Sequence, residues 1–199
     1  MSTAISAELV KKLRDLTGVG FMECKAALAE ANGDIDAATT LLRKRGLASA
    51  AKKAGRTTGQ GSIGSYIHMG GKIGVLVEVN CESDFVARTE QFAGLVKEIA
   101  MHIAAADPRY VRRDEVPDDV LEKEKDIYRA QLAQAGKKPE MIEKILDGKL
   151  ESFYEQVVLV DQKSIRDSAV KVSQIVAEAT AKMGENISIR RFARFKIGE

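Results

Sequence analysis

The sequence has few of the residues that metal centres and nucleophilic catalysis require. It contains two histidines, two cysteines and no tryptophan in 199 residues. His68, His102, Cys24 and Cys81 form neither a C-x-x-C motif nor a pair at helical spacing, so a metal site would lack its usual ligand spacing. No Ser/His/Asp or Cys/His arrangement can be proposed either. We therefore expect no metal and no bond-making enzyme chemistry.

A nucleotide-binding loop is also missing. Residues 59–64 match G-x-G-x-x-G, but the dinucleotide motif needs a strand before it and a helix after it. Here a linker precedes the glycines and a strand follows them. No G-x-x-x-x-G-K-[ST] loop is present. We expect no bound cofactor.

Long apolar stretches are absent as well. No uninterrupted run reaches the roughly 18 residues of a membrane helix, and the start of the sequence lacks the basic and apolar regions of a secretory signal. Two cysteines far apart in the sequence favour reduced thiols over a disulfide framework. We expect a cytoplasmic protein that does not enter a membrane.

The charge is nearly balanced, with 31 basic and 29 acidic side chains and a net charge of +2. This balance argues against a dedicated nucleic-acid binder, which usually clusters cations on one face, so we expect no direct nucleic-acid contact. An alternative remains open, a ribosome- or RNA-associated adaptor. Its basic strand would carry Arg190, Arg191, Arg194 and Lys196, and RNA affinity would then depend steeply on salt.

The first part of the chain predicts a small three-helix domain at residues 1–46. Ser6 and Asp34 are placed to cap the first and third helices, and Asn32-Gly33 to end the second. We expect the third helix to stop at Gly46. Residues 47–61, rich in Ala, Lys, Gly and Thr, predict a linker that begins as a helix.

Residues 62–199 predict an α+β core. Alternation predicts two antiparallel strands joined by a two-residue turn at Gly70-Gly71. A helix over 89–105 follows, then a helical hairpin over about 117–156. Ser164 and Asp167 have capping-box spacing and predict the start of a long helix. The last apolar residues predict a final strand with one apolar face. This face would carry Ile187, Ile189, Ala193, Phe195 and Ile197, and Arg191 interrupts it.

The hairpin is densely charged, notably over residues 122–126. Such a run is usually a solvated helix face. The alternative is that the apolar side of the same helix meets another subunit through Val120, Ile127, Tyr128 and Leu132. The α+β region would then also be a dimerisation domain.

The most informative segment is residues 79–88, with the sequence VNCESDFVAR. Before it, apolar residues alternate as in a half-buried strand; after it, they recur at helical spacing. Asp84 and Phe85 therefore occupy a strand-to-helix corner. Phe85 is either a core residue or a side chain for a partner's pocket, and residue types alone leave both possibilities open.

Several segments resemble one family, bacterial elongation factor Ts, the nucleotide exchange factor for elongation factor Tu. They are residues 13–28 (LRDLTGVGFMECKAAL) followed by Asn32-Gly-Asp34, residues 79–88, residues 148–155 (GKLESFYE) and residues 184–192 (GENISIRRF). The resemblance spans essentially the whole chain in the family's order. The chain resembles the short form of the family, which has one core subdomain where longer members have two.

The resemblance implies a ubiquitin-associated-like N-terminal bundle that docks on the nucleotide-binding domain of elongation factor Tu through Arg14, Val19, Phe21 and Met22. It also implies that the corner formed by Ser83, Asp84, Phe85 and Val86 enters the partner near its magnesium and phosphate site and promotes release of GDP. Phe21 stands where the family often has Met, and Ser83 where Thr is commoner; both keep the relevant chemistry. The short form implies that two copies are needed, so we expect a homodimer.

Overall fold

The protein combines helices with a small three-stranded sheet. The computed structural model describes residues 5–199, so the first four residues of the predicted 1–46 bundle lie outside the described part. The sheet is antiparallel with strand order β1-β2-β3. The α+β prediction is confirmed. The elements are α1 (Ala7–Thr17), α2 (Phe21–Glu30), α3 (Ile35–Lys53), β1 (Gln60–Ile67), β2 (Ile73–Cys81), α4 (Asp84–Ala87), α5 (Glu90–Ala106), α6 (Asp118–Gln134), α7 (Pro139–Val157), α8 (Val172–Met183) and β3 (Ser188–Lys196).

Residue contacts divide the chain into two compact units. Within the described residues, the first unit comprises 5–62, Val79–Leu95 and Gln174–Ser188. The second comprises Ile63–Glu78, Val96–Ser173 and Ile189–Glu199. The division into a domain at 1–46, a linker at 47–61 and a core at 62–199 remains a prediction.

Helices α1 to α3 form the N-terminal bundle of the first unit. The predicted caps are present, because the Ser6 hydroxyl accepts from the Leu9 N–H and the Asp34 carboxylate from the Ala37 N–H. The buried core of the bundle is small, as its sequence predicts. It consists of Val10, Leu13, Cys24, Ala27, Leu28, Ala38 and Leu42.

The predicted end of the third helix at Gly46 is wrong. Helix α3 continues to Lys53. A Cβ atom added at Gly46 would lie 3.1 Å from the Cβ of Ala181 in α8. The absence of a side chain at Gly46 therefore allows close packing of two helices and does not end one.

The helical hairpin of the second unit has the predicted break between α6 and α7. Leu132 is buried, and Val120 and Tyr128 pack against a core of Val116 and Phe153 with neighbouring residues. Of the four apolar residues considered for a subunit contact, only Ile127 is exposed. The solvated-face interpretation of the charged run is therefore favoured.

Two local predictions in this unit are wrong. The strand connection spans residues 68–72, not Gly70-Gly71 alone, since the Gly71 N–H donates to the His68 carbonyl and β2 begins at Ile73. Helix α8 begins at Val172, not at Ser164. The Ser164 hydroxyl and the Asp167 carboxylate each accept from a backbone N–H two residues ahead, so they stabilise local turns.

The last strand does not have the single apolar face that its sequence suggests. Arg190 and Arg191 are both exposed, so the alternation of buried and exposed side chains changes phase between them. Beyond this point, Phe192 and Arg194 are the partly buried residues. The opposite side of the sheet exposes large apolar side chains. They are Ile63 and Ile67 of β1, Leu76 of β2 and Phe195 of β3.

Among the described residues, none of the helices is sufficiently long and apolar to traverse a bilayer.

Candidate partner-binding corner

The corner that follows β2 is built by a single capped helical turn. Strand β2 ends at Cys81, and α4 contains only Asp84–Ala87. Ser83 is the N-cap of α4, with extended backbone angles, and its hydroxyl accepts from the Val86 N–H at 3.4 Å. The Thr89 hydroxyl then accepts from the Phe92 N–H as α5 begins. Two hydroxyl caps in succession thus turn the chain from strand to helix.

The structure distinguishes the two interpretations of Phe85. Its side chain is 80% exposed, whereas Phe92, seven residues later, is fully buried. Phe85 is therefore not a core residue. The exposed ring is instead apolar surface that is open to a partner. Val86 is partly buried beneath the turn.

The acidic neighbour of Phe85 is partly exposed. Asp84 lies in the first position of α4, and its carboxylate forms an ion pair with Arg88. A negative charge at the start of a helical turn is electrostatically favourable. The corner therefore presents a ring and a carboxylate next to each other.

Glu185 holds the corner through hydrogen bonds to Glu82 and Ser83. The sequence alone does not assign a role to Glu185. Its Oε2 accepts from the backbone N–H groups of Glu82 at 3.1 Å and Ser83 at 2.9 Å, and its Oε1 accepts from the Ser83 hydroxyl at 2.6 Å. The Glu82 carboxylate in turn accepts from the Asn186 N–H at 2.6 Å. The only sequence signal was that Glu185 belongs to one of the family-like segments.

Cys81 adds a further contact at the corner. Its buried thiol donates to the Ser83 carbonyl at 3.1 Å. Burial raises the pKa of the Cys81 thiol, and the negative charge of Glu185 raises it further. The thiol therefore stays protonated at neutral pH and keeps donating.

The predicted docking residues lie around the turn between α1 and α2. Met22 is 72% exposed, and Phe21 and Arg14 are also exposed. Val19 is partly buried against the bundle core, and its carbonyl accepts from the Cys24 thiol. Val19 and Met22 line the same shallow groove of about 300 Å³. The turn therefore offers apolar surface with a basic residue nearby.

The comparisons with known proteins agree on one family. The family model described as "Elongation factor TS" matches residues 36–199. Elongation factor Ts of Fervidobacterium nodosum is 59% identical over 195 residues, which cover 98% of this chain and 99% of that protein. The corresponding protein of Thermosipho melanesiensis is 58% identical, with 98% and 100% covered. That of Koribacter versatilis is 59% identical, with 98% and 89% covered.

The chain belongs to the elongation factor Ts family. It is accordingly related to translation elongation factors of protein biosynthesis. The family model begins at residue 36 and so leaves out Arg14, Val19, Phe21 and Met22, but the individual relatives align over nearly the whole chain.

The basic strand of this elongation factor Ts family member has most of its cations paired within the protein. Arg191 pairs with Glu78 at 2.7 Å, and Lys196 with Glu199 at 2.7 Å. Arg194 is only 9% exposed in its side chain and donates to the Ala104 carbonyl. Three of the four cations therefore already have protein partners, which weakens the RNA-adaptor alternative.

Proposed function

We propose that the chain is the guanine-nucleotide exchange factor for elongation factor Tu, acting in the cytoplasm during protein synthesis. It binds the GDP-loaded partner, inserts the Asp84–Phe85 corner near the magnesium and phosphate site, and promotes release of GDP. The observation that carries this proposal is the exposed ring of Phe85 on a capped and anchored turn. No covalent bond is made or broken, so the activity is not enzymatic in the bond-making sense.

The energetic basis of exchange is thermodynamic linkage. A nucleotide held at nanomolar affinity is bound by roughly 12 kcal/mol, so its spontaneous release is slow. A factor that binds the empty partner more tightly than the loaded one must weaken nucleotide binding by the same coupling free energy. The exchange factor therefore needs contacts that form fully only when the nucleotide site is open.

Phe85 is suited to supply such a contact. Burial of one phenylalanine side chain contributes roughly 1.5–3 kcal/mol, or about 10- to 150-fold in an equilibrium constant. Because the turn is already capped, little conformational entropy is lost when the ring enters a pocket. Asp84 adds a negative charge that competes with phosphate for the metal or for a hydrogen-bond donor of the partner.

Docking of the N-terminal bundle assists this insertion. Arg14, Val19, Phe21 and Met22 contact the nucleotide-binding domain, and the corner then binds within the same complex. The second contact is effectively intramolecular, so its local concentration is high. Helix α3 extends to Lys53, so only the end of the predicted linker is non-helical. A shorter flexible segment keeps the local concentration of the corner high.

The proposed homodimer needs a surface, and the exposed side of the sheet fits a second copy best. Ile63, Ile67, Leu76 and Phe195 are apolar, and the charges of Glu78 and Arg191 neutralise each other there. Charges that are paired within one copy oppose a second copy with little repulsion across a two-fold axis. Sedimentation should then give twice 21.7 kDa at micromolar concentration.

Two substitutions locate the dimer surface. Leu76 on the sheet and Met141 on the hairpin are both 49% exposed. Leu76→Lys should yield monomers, whereas Met141→Lys should not. A species of 21.7 kDa alone in the unmodified protein would rule out the dimer.

The exchange proposal is tested with labelled GDP bound to elongation factor Tu. The chain should accelerate release, and Phe85→Ala should lower the acceleration about tenfold or more while the melting temperature stays unchanged. Met69→Ala is the control, since Met69 is an exposed apolar residue of the strand connection. If the chain does not accelerate release, or if Phe85→Ala matches the control, the proposal is wrong.

A further inference from the structure

We propose that Glu185 is a positioning residue for exchange, which fixes the direction of Phe85 by holding the Ser83 cap of α4. This inference rests on the proposed function. It is drawn from the three hydrogen bonds that join Glu185 to Glu82 and Ser83, which precede it by 103 and 102 sequence positions.

The chemistry of the anchor requires a carboxylate. The corner presents two adjacent backbone N–H groups and one hydroxyl, all acting as donors toward the same side chain. An ionised carboxylate is acceptor-only and has two oxygens, so it satisfies all three donors at once. Such charge-assisted bonds are roughly twice as strong as neutral ones.

The hydroxyl of Ser83 links the anchor to the turn. It donates its hydrogen to Glu185 Oε1 at 2.6 Å and accepts from the Val86 N–H at 3.4 Å. Because the hydrogen is directed at Glu185, the oxygen lone pairs face the helical turn. Glu185 therefore orients the cap through the Ser83 hydroxyl.

A further hydrogen bond between the same two segments holds the residue next to Glu185. The Glu82 carboxylate accepts from the Asn186 N–H, next to Glu185. The Asn186 side-chain amide donates to the carbonyls of Ala54 at 3.3 Å and Arg56 at 2.8 Å, just beyond the end of α3. The anchor thereby connects the corner to the chain that leaves the bundle, all within the first unit.

The corner depends on this anchor because α4 is so short. A four-residue helical turn is unstable by itself, since the nucleus of a helix is costly to form. Without Glu185, two donors and the hydroxyl lose their acceptor, and the turn samples other conformations. Phe85 and its turn must then become ordered when the ring inserts. The conformational entropy lost in this step weakens insertion and lowers the rate of exchange.

A double-mutant cycle on GDP release tests the inference. Glu185→Ala should lower stimulated release about tenfold. In a Phe85→Ala background the same change should lower it less than about twofold, because Glu185 acts through Phe85. Glu185→Gln should fall between Glu185→Ala and the unmodified protein, since the amide keeps one acceptor oxygen. Glu178→Ala, which removes an α8 carboxylate paired with Arg43, is the matched control and should have no effect.

Hydrogen exchange of the free chain gives a readout that does not depend on elongation factor Tu. Glu185→Ala should accelerate exchange of the Ser83 and Val86 amides about tenfold or more, and Glu178→Ala should not. Unchanged protection of these amides would overturn the inference, as would an equal effect of Glu185→Ala on GDP release with and without Phe85. If Phe85→Ala leaves release unchanged, the proposed function fails, and amide protection alone decides whether Glu185 holds the corner.

Discussion

The carboxylate of Asp84 lies 2.8 Å from the guanidinium of Arg88, four residues further along the chain. Both side chains are substantially exposed, so the pair is worth at most about 1 kcal/mol. In the free chain the acidic tip of the corner is thus partly neutralised by its own neighbour. To act on a metal or phosphate site, Asp84 must first give up this partner or share it.

Arg88→Ala should therefore favour exchange slightly. Loss of the ion pair frees the carboxylate and should increase stimulated GDP release by up to about fivefold at subsaturating concentration. The free energy of unfolding should change by less than about 1 kcal/mol. A loss of stimulation instead would show that Arg88 itself contacts the partner. Rates of release across a concentration series provide the measurement.

Met22→Ala should separate docking from insertion. Met22 is exposed on the bundle and takes no part in the insertion proposed for the corner. The substitution should raise the concentration for half-maximal stimulation several-fold, by about 1 kcal/mol of lost apolar contact, with little change in the maximal rate. Leu16→Ala, which removes another exposed apolar side chain of the bundle, should leave both parameters unchanged. Equal effects of the two variants would argue against docking through Met22.

His102 is a buried histidine with an incomplete set of hydrogen bonds. Its Nε2 lies 2.9 Å from Gln162 Oε1, and Nδ1 has no partner among the described residues. The Gln162 amide already donates to the Ala106 and Gln156 carbonyls, so its oxygen accepts from Nε2–H. Burial lowers the pKa of His102, opposed by the bond to Gln162 and by the charge of Glu98.

Stability should consequently fall in mild acid. Below about pH 6.5 the unfolded chain protonates this histidine while the folded chain resists protonation. The unfolded state then binds more protons, so the free energy of unfolding decreases as pH falls from about 6.5 towards the lowered folded pKa, by up to about 1.4 kcal/mol per pH unit from this residue. Above this window the contribution is constant.

Denaturant unfolding between pH 5 and 7.5 measures this dependence. His102→Gln, which keeps a donor near Gln162 and cannot be protonated, should flatten the profile. His68→Gln replaces the other histidine, which is exposed, and should leave it unchanged. Identical profiles for the unmodified protein and His102→Gln would contradict the assignment.

Gly64 and Val96 pack in direct contact. A Cβ atom added at Gly64 would lie 2.2 Å from Val96 Cγ1. Gly64→Ala should therefore destabilise by about 1–3 kcal/mol through overpacking. A second change, Val96→Ala, should recover part of this loss, with a coupling of about 1 kcal/mol or more.

The control for this pair is Gly94→Ala in α5, where, apart from its chain neighbours and the backbone of its own helix, no atom lies within 4 Å of the added Cβ. This variant should be stabilised by up to about 1 kcal/mol, because alanine favours helix. Midpoints of urea unfolding compare the unmodified protein, the two single variants, the double variant and the Gly94→Ala control. Additive effects of Gly64→Ala and Val96→Ala would show that the strand and helix adjust independently.

The features that sequence predicts well here depend on neighbouring residues. The Ser6 and Asp34 caps, the break between α6 and α7, and the corner at Asp84 all follow from local signals or a change of period. Features set by distant packing were missed. Gly46 resembles a helix stop until its contact with Ala181 is known, and the phase change in β3 requires knowledge of both faces of the sheet.

The candidate site divides in the same way. Asp84 and Phe85 could be placed at a corner from alternation, and the resemblance suggested their role. Whether Phe85 is buried could not be decided, because it depends on what packs against the turn. Glu185 was out of reach, since nothing in its own neighbourhood indicates a contact with Ser83 over 102 positions.

The distance in sequence between Ser83 and its anchor has a consequence for biosynthesis. When the ribosome has completed the corner, the segment that holds it has not yet been made, and closing so long a loop is slow. A nascent chain therefore displays an unsupported turn until Glu185, 102 positions after Ser83, has been made. This order of events delays formation of the anchored corner until the segment around Glu185 has been synthesised.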